Sequence, residues 1–549
     1  DVTWVRGAHT FTVGTHDEFS HFETLFIQNL YGSYEFSNVD NLRAGVAQSF
    51  ARTFSNTSDS RQAYQVTVRQ LGAYAGDLWH ASSHLTLTYG LRIDAPRLGD
   101  PPLSNPLSLS EFGYATDVLP APLMWSPRAG VNWSPGENSG RQSQIRGGVG
   151  VFAGHPPYYW VANEYANTGL DFTALSLPFA ATNRVPFVAD PFAQPSNVGG
   201  AGQQTINVLD PHFRFPRLLR GNVAYDRDLG VLGLTGSAEL LVSKTLDDAA
   251  YTNLNYLPRG FAPDGRLTYS KRDAALNDVV LLSNTSKGRQ WSTAFTVARP
   301  LSRGISFSAS YLHDRATSVT DTPGGTALSM WGSLPVAYDV NHPPAATSNY
   351  EVGQRITVTA VVPTPLFAGA RGALSLYFNG QSGQPYSLAF NGDANGDGRN
   401  INDIAFAPAS PDQVIVTGGT WAQLDNYLTA DPSTRGHRGS IPPRNSGRSP
   451  WTNTLDLKYV VTLPTGRRAH AELSLDIANV LNLLNDRWGW VFYPAFNSAN
   501  TIGYGGIDAA TGKLIYRLNT ITADTFAGTF TRDDLRSRWR AQWGLRLRF

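Results

Sequence analysis

The sequence predicts an all-β chain folded as a transmembrane, antiparallel outer-membrane β-barrel with long extracellular loops. Three observations predict it: runs of strict two-residue alternation between apolar and polar side chains, short and long connections that take turns along the chain, and a composition poor in charge but rich in glycine and aromatics. A strand sends successive side chains to opposite faces. Lipid outside and water or a plug inside then require one apolar and one polar face.

The elements run in order from an opening strand, "HTFTVGT" (9–15), to a closing one, "SRWRAQWGLRLRF" (537–549). Between them, short connections fall at 80–83, 134–140, 227–230, 299–304, 363–371 and 464–468. Long segments rich in Gly, Pro, Asn and Asp fall near 16–62, 97–124, 155–213, 315–347, 388–447 and 484–532. Six hairpins with the opening and closing strands make about fourteen strands, all within one domain, 1–549. Long structureless loops count against a compact soluble domain; outer-membrane barrels pair short periplasmic turns with long extracellular loops. A soluble β-sandwich also alternates, but its loops are mostly short.

The closing strand carries the pattern best. Trp539, Ala541, Trp543, Leu545, Leu547 and Phe549 share one face, and Arg538, Arg540, Gln542, Gly544, Arg546 and Arg548 the other. The same period places Leu455, Leu457, Tyr459, Val461 and Leu463 opposite Asp456 and Lys458, and Leu473, Leu475 and Ile477 opposite Glu472 and Asp476. It also begins a strand at Leu232 and Leu234. The charged side chains form a wall facing the lumen, where they pair with a plug or set solute preference. Trp79, Trp133, Trp451 and Phe549 lie near strand ends, as interfacial girdles require.

Composition narrows the function classes. Charged residues are 16% of 549, against roughly 25% in average soluble domains. A net charge of +1 gives no broad attraction for nucleic acid. With no cysteine, disulfides, thiolate zinc sites and cysteine nucleophiles are excluded. No apolar run reaches the roughly 18 residues of a transmembrane helix. The first residues, "DVTWVRGAHTF", lack the basic and apolar regions of a signal peptide, so the expectation is a leader already removed or a start within a longer protein.

No HExxH, G-x-S-x-G or phosphate-loop motif occurs, and the expectation is no enzyme and no catalytic residues. The glycines of "RGGVGVFAGH" (146–155) have the wrong spacing for a nucleotide loop and suit a bent or closely packed strand. At the mouth of a long loop stand His155, Tyr158, Tyr159 and Trp160, which either stack on a ligand or pack the loop against the rim.

The stretch "NGDANGDGRNINDIAF" (391–406) begins like a calcium loop. Such loops want oxygen ligands at positions 1, 3 and 5, glycine at 6, a backbone carbonyl at 7 and a carboxylate at 12. Asp393, Asn395, Asp397, Gly398 and the carbonyl of Arg399 match, whereas position 12 is Ile404 and the nearest substitute is Asp403. Ca2+ held by these residues would be of weak, millimolar class and would stiffen the loop. An exposed Asx–Gly turn is the alternative.

The segments "QLGAYAGDLWHASSHLTLTYGLRID" (70–94), "SPRAGVNWSP" (126–135), "DIANVLN" (476–482) and the terminal "GLRLRF", with "GQPYS" and "NGDANGDG" at 383–398, resemble TonB-dependent outer-membrane receptors, nearest the Oar-like branch. The resemblance implies a barrel of about 22 strands around a plug, of which the chain would be the C-terminal portion; a smaller closed barrel is the other arrangement. It implies residence in the outer membrane of a Gram-negative bacterium, ligand capture at the extracellular loops, and uptake driven by the TonB complex through a plug not seen in this chain. A surface-adhesion or structural barrel, or a passive pore, are alternatives. It implies that Trp543, Leu545, Leu547 and Phe549 form the signal read by the barrel assembly machinery. With Phe549 periplasmic, the 388–447 loop is extracellular.

Overall fold

The computed structural model describes residues 1–549 except 136–140, 155–156, 199–201, 301–303, 322–323, 367–369, 465–469, 495–497, 519–529 and 549. Sixteen segments build one large antiparallel sheet: β1 (Val2–Arg6), β2 (His9–Thr15), β3 (Glu18–Thr24), β4 (Tyr64–Ser82), β5 (Leu85–Leu98), β6 (Met124–Trp133), β7 (Ser143–Ala153), β8 (Arg217–Asp228), β9 (Thr235–Asn253), β10 (Arg289–Arg299), β11 (Ser306–Ser318), β12 (Gln354–Pro365), β13 (Arg371–Gln381), β14 (Thr452–Pro464), β15 (His470–Ala478) and β16 (Arg540–Arg548). Segments β2 and β3 both pair with β4 and act as one rising strand, so the sheet has fifteen spans.

The expected hairpins form, each strand pairing with its neighbours in sequence. One span more than expected appears, because β1 and β2 make an additional hairpin at Gly7–Ala8. The structure adds a further long connection between β9 and β10 (254–288), which holds the strands Tyr256–Phe261, Leu267–Lys271 and Leu276–Thr285. The β9 boundary shifts as well. Leu232 lies in the turn with φ 53°, a region L-residues seldom enter, and the strand starts at Thr235.

The sheet is open. Among the described residues β1 pairs only with β2 and β16 only with β15. Fifteen alternating spans leave both edges running the same way, so joining β1 to β16 directly would make a parallel contact.

Register carries the apolar pattern across strands. Val362, Leu374, Tyr459, Leu475 and Trp543 stand opposite one another from β12 to β16. Beside them run Ala360, Leu376, Leu457, Ile477 and Ala541. Trp543, Leu545 and Leu547 remain exposed, as a face made for lipid must. The other face pairs its charges: Lys458 Nζ lies 2.7 Å from Asp476 and Arg546 lies 3.8 Å from Glu472. Trp79 and Trp133 sit at the short-turn end, where Trp79 stacks on His9 with ring centroids 5.4 Å apart.

The long connections gather at the opposite end and are not structureless. They hold α1 (Tyr158–Ala166), α2 (Ala327–Gly332), α3 (Trp421–Ala430) and several small sheets. Two apolar cores form there. One joins the upper ends of β4 and β9 to α1, α2 and the strand Leu276–Thr285. The other packs Tyr386, Leu388 and Phe390 against Leu424, Ile502 and Tyr516. Aromatic and aliphatic residues within these loops bury enough surface to order them.

Candidate functional site

The loop end encloses a cavity of about 830 Å3. Its wall comes from five separated stretches of chain: 24–28, 159–174, 203–207, 325–333 and 398–401, with Thr53, Tyr64 and Asn277 between them. Helix α1 supplies Tyr159 and Asn163, and α2 supplies Leu328 and Ser329. A capping box at Thr326 and Ser329 starts α2, satisfying its first free N–H groups.

The expected aromatic group divides. Tyr158 is buried and its hydroxyl donates to Gln70 Oε1 at 2.7 Å. Trp160 is buried in the core beneath. Tyr159, 49% exposed, opens on the cavity. His155 lies outside the described residues. So Tyr158 and Trp160 pack the loop, whereas Tyr159 faces what a ligand would touch.

The acidic loop forms part of the same wall. Asp393 accepts from the N–H groups of Gly396 (2.6 Å) and Gly398 (2.9 Å). Asp397 accepts from the Arg399 N–H (2.8 Å) and Asn402 Nδ2 (2.7 Å), and Asn395 Oδ1 accepts from the Asp397 N–H (2.9 Å). These bonds fold 393–402 so that Gly398, Arg399, Asn400 and Ile401 line the cavity. Gly398 has φ 79°, and a Cβ there would lie 2.8 Å from the Tyr256 hydroxyl; the turn requires glycine.

Asp403 is anchored elsewhere. Its Oδ2 accepts from the Ala394 N–H at 2.7 Å, and its Oδ1 pairs with Arg266 at 3.1 Å. Arg266 also contacts Asp264 (2.7 Å), donates to the Ile404 carbonyl (2.9 Å) and lies over the Phe390 ring (5.3 Å). Burial, aided by the neighbouring Asp393, pushes the Asp397 carboxyl up to about 6. Burial pushes Asp403 to about 7, against the opposing pull of Arg266. Among the described residues no group of three His, Asp or Glu side chains is arranged to hold a metal ion. A bound Ca2+ would therefore have to displace N–H partners of Asp393 and Asp397.

Sequence reading missed Arg399, which it used only for its carbonyl. Its Nη2 lies 3.1 Å from both oxygens of the fully buried Asp278, and its guanidinium lies over Trp331 at 5.7 Å. It also missed Glu164 on α1, whose carboxyl is buried with neither oxygen hydrogen-bonded. Burial alone holds that carboxyl well above the usual range. No sequence signal marks either residue, because their surroundings come from other loops.

A family model described as "Outer membrane beta barrel domain" matches residues 1–511. No curated protein matches in sequence. Solved structures with similar folds include the outer membrane transporter YddB from Escherichia coli, at 11% identity and TM-score 0.47, covering 100% of this chain and 52% of that one. The siderophore receptor PirA from Acinetobacter baumannii gives 9% identity and TM-score 0.45, covering 93% and 51%. The FrpB iron transporter from Neisseria meningitidis gives 11% identity and TM-score 0.41, covering 89% and 50%. The chain thus spans about half the length of these transporters and receptors. By its family match, its strand register and its apolar outer face, this chain belongs to the outer membrane beta barrel domain family and resides in the outer membrane of a Gram-negative bacterium.

Proposed function

We propose that the chain is the barrel of a TonB-dependent outer-membrane receptor, of the Oar-like branch that its motifs resemble, which captures a ligand at its loop end for energised uptake. The observation that carries this reading is the cavity of about 830 Å3 built by five otherwise distant stretches of chain at the end opposite the short turns. Ordering several long loops around one concave space is costly in entropy, and ligand sites are typically clefts of about 300–1,000 Å3. With the short turns periplasmic, the cavity is extracellular.

The open sheet fits a larger barrel. Against about 22 strands in plugged transporters, fifteen spans leave about seven. An odd number restores antiparallel pairing at both edges. The chain is then the C-terminal portion, and the plug that meets TonB lies elsewhere in the protein. Trp543, Leu545 and Leu547, with Phe549 outside the described residues, make up the strand end read by the barrel assembly machinery. Ca2+ at 393–403 is part of the same proposal: Asp393, Asp397 and Asp403 repel one another, and a divalent cation would relieve that repulsion.

The test uses the whole protein in its own outer membrane. Site-specific cross-linking to TonB is expected, with no steady conductance in planar bilayers. Steady conductance without a TonB cross-link would replace uptake with a passive pore. Neither signal, with loss of cell–cell adhesion on gene deletion, would identify an adhesion or structural barrel.

A further inference from the structure

The cavity has an unusual chemistry for its size. Seven carboxamide side chains line it, among them Asn163, Asn207 and Asn400, together with six serine and threonine hydroxyls. Among the described lining residues there is no aspartate, glutamate or histidine, and Arg399 is the one charged side chain. That charge is already spent, because Asp278 holds the guanidinium at 3.1 Å. The described wall therefore carries no unpaired charge. An anionic metal chelate would need unpaired cations, and a cationic ligand unpaired carboxylates.

Three polar atoms on lining residues are buried without a hydrogen-bond partner: the Tyr64 hydroxyl, Asn207 Oδ1 and Arg399 Nε. Asn207 is 2% exposed and its Nδ2 is used, donating to the Asn163 carbonyl at 3.2 Å. Buried polar atoms almost always find partners, so three unpartnered ones on residues of one wall are groups that a small side-chain shift would offer to a ligand. Two aromatic side chains of the lining are partly exposed: Phe26 is 60% exposed and Tyr159, which meets Trp160 edge-on at 6.0 Å, is 49% exposed.

We infer that this cavity binds a neutral, polyhydroxylated ligand, a short oligosaccharide. A carboxamide offers a donor and an acceptor side by side, which suits adjacent sugar hydroxyls. An exposed aromatic face suits the apolar C–H face of a pyranose ring. The inference rests on the receptor reading given above and names its substrate class. A peptide would share the amide chemistry, but its charged termini find no counter-charge here.

The test measures binding by calorimetry to the whole protein purified in detergent. The probes are unsubstituted di- to tetrasaccharides of glucose, N-acetylglucosamine, mannose and xylose, an uncharged tripeptide, and ferric citrate. Circular dichroism and heat-modifiable gel mobility confirm folding of each variant. At least one saccharide series is expected to bind, with affinity weakened about tenfold in Asn207→Ala and at least as much in Tyr159→Ala. Saccharide binding unchanged in both variants overturns the inference. Binding of ferric citrate or the tripeptide alone, weakened by Tyr159→Ala, overturns the sugar class and leaves the loop-end receptor site standing. If no probe binds, both the sugar class and the cavity as a ligand site are overturned.

Discussion

Arg266 and Asp403 form an ion pair of 3.1 Å between side chains that are 1% and 3% exposed. The pair ties the connection between β9 and β10 to the acidic loop. Through Ala394 it also fixes the start of that loop, and so the wall at 398–401.

Breaking a buried pair by removing one partner leaves an uncompensated charge and costs about 3–5 kcal/mol. Arg266→Met is therefore expected to lower hydrogen-exchange protection across 393–404 strongly. Arg266→Met also strands Asp264, the second buried partner at 2.7 Å, so the double change Arg266→Met with Asp403→Leu should recover only part of that loss. A single mutant with wild-type protection would show that the pair does not hold the loop.

Glu164 gives a pH dependence with a definite sign. Its folded pKa is raised by burial, so the folded state holds a proton that the unfolded state releases above about pH 4.3. Its stabilising contribution is full below that value and is lost as pH rises through the folded pKa. Glu164→Gln should match the wild type at pH 4, exceed it in protease resistance at pH 9, and flatten the profile between. A variant that follows the wild-type profile would assign the dependence to another group.

The two faces of β16 should respond oppositely. Leu545 stands opposite Leu473 on the apolar face. Leu545→Arg is expected to cost about 1–4 kcal/mol, the range between interface and midplane, read from urea titration of folding into vesicles. On the other face Lys458 and Asp476 are half-exposed, and such pairs contribute about 0–1 kcal/mol. Lys458→Met should therefore change the same titration little. Equal costs at the two positions would mean the faces are misassigned.

Chelation tests the calcium proposal. EDTA is expected to reduce protease resistance in 388–447, and Asp393→Ala with Asp397→Ala to abolish the response. No change with chelator would mean that the backbone N–H groups and Arg266 hold the loop without an ion.

Much of the barrel was legible because its signal is local. Lys458 and Asp476, or Leu473 and Leu545, can be placed from period two and a hairpin alone, and register then brings them together. The connection at 254–288 has no period of its own to mark it: its strands pair with one another and with the upper end of β9. Within the acidic loop the Asx–Gly spacing was readable, but the burial of Asp397 and the partner of Asp403 were not.

The sequence by itself determined which face of each strand meets lipid, where the hairpins turn and which end carries the long loops, since each depends on residues only a few positions apart. Only the tertiary structure decided that the loops pack into two cores, that Tyr159 opens on a cavity while Tyr158 and Trp160 do not, and that Arg399 is neutralised by Asp278. Those outcomes join segments more than a hundred residues apart, and no local period encodes which distant loop supplies a partner.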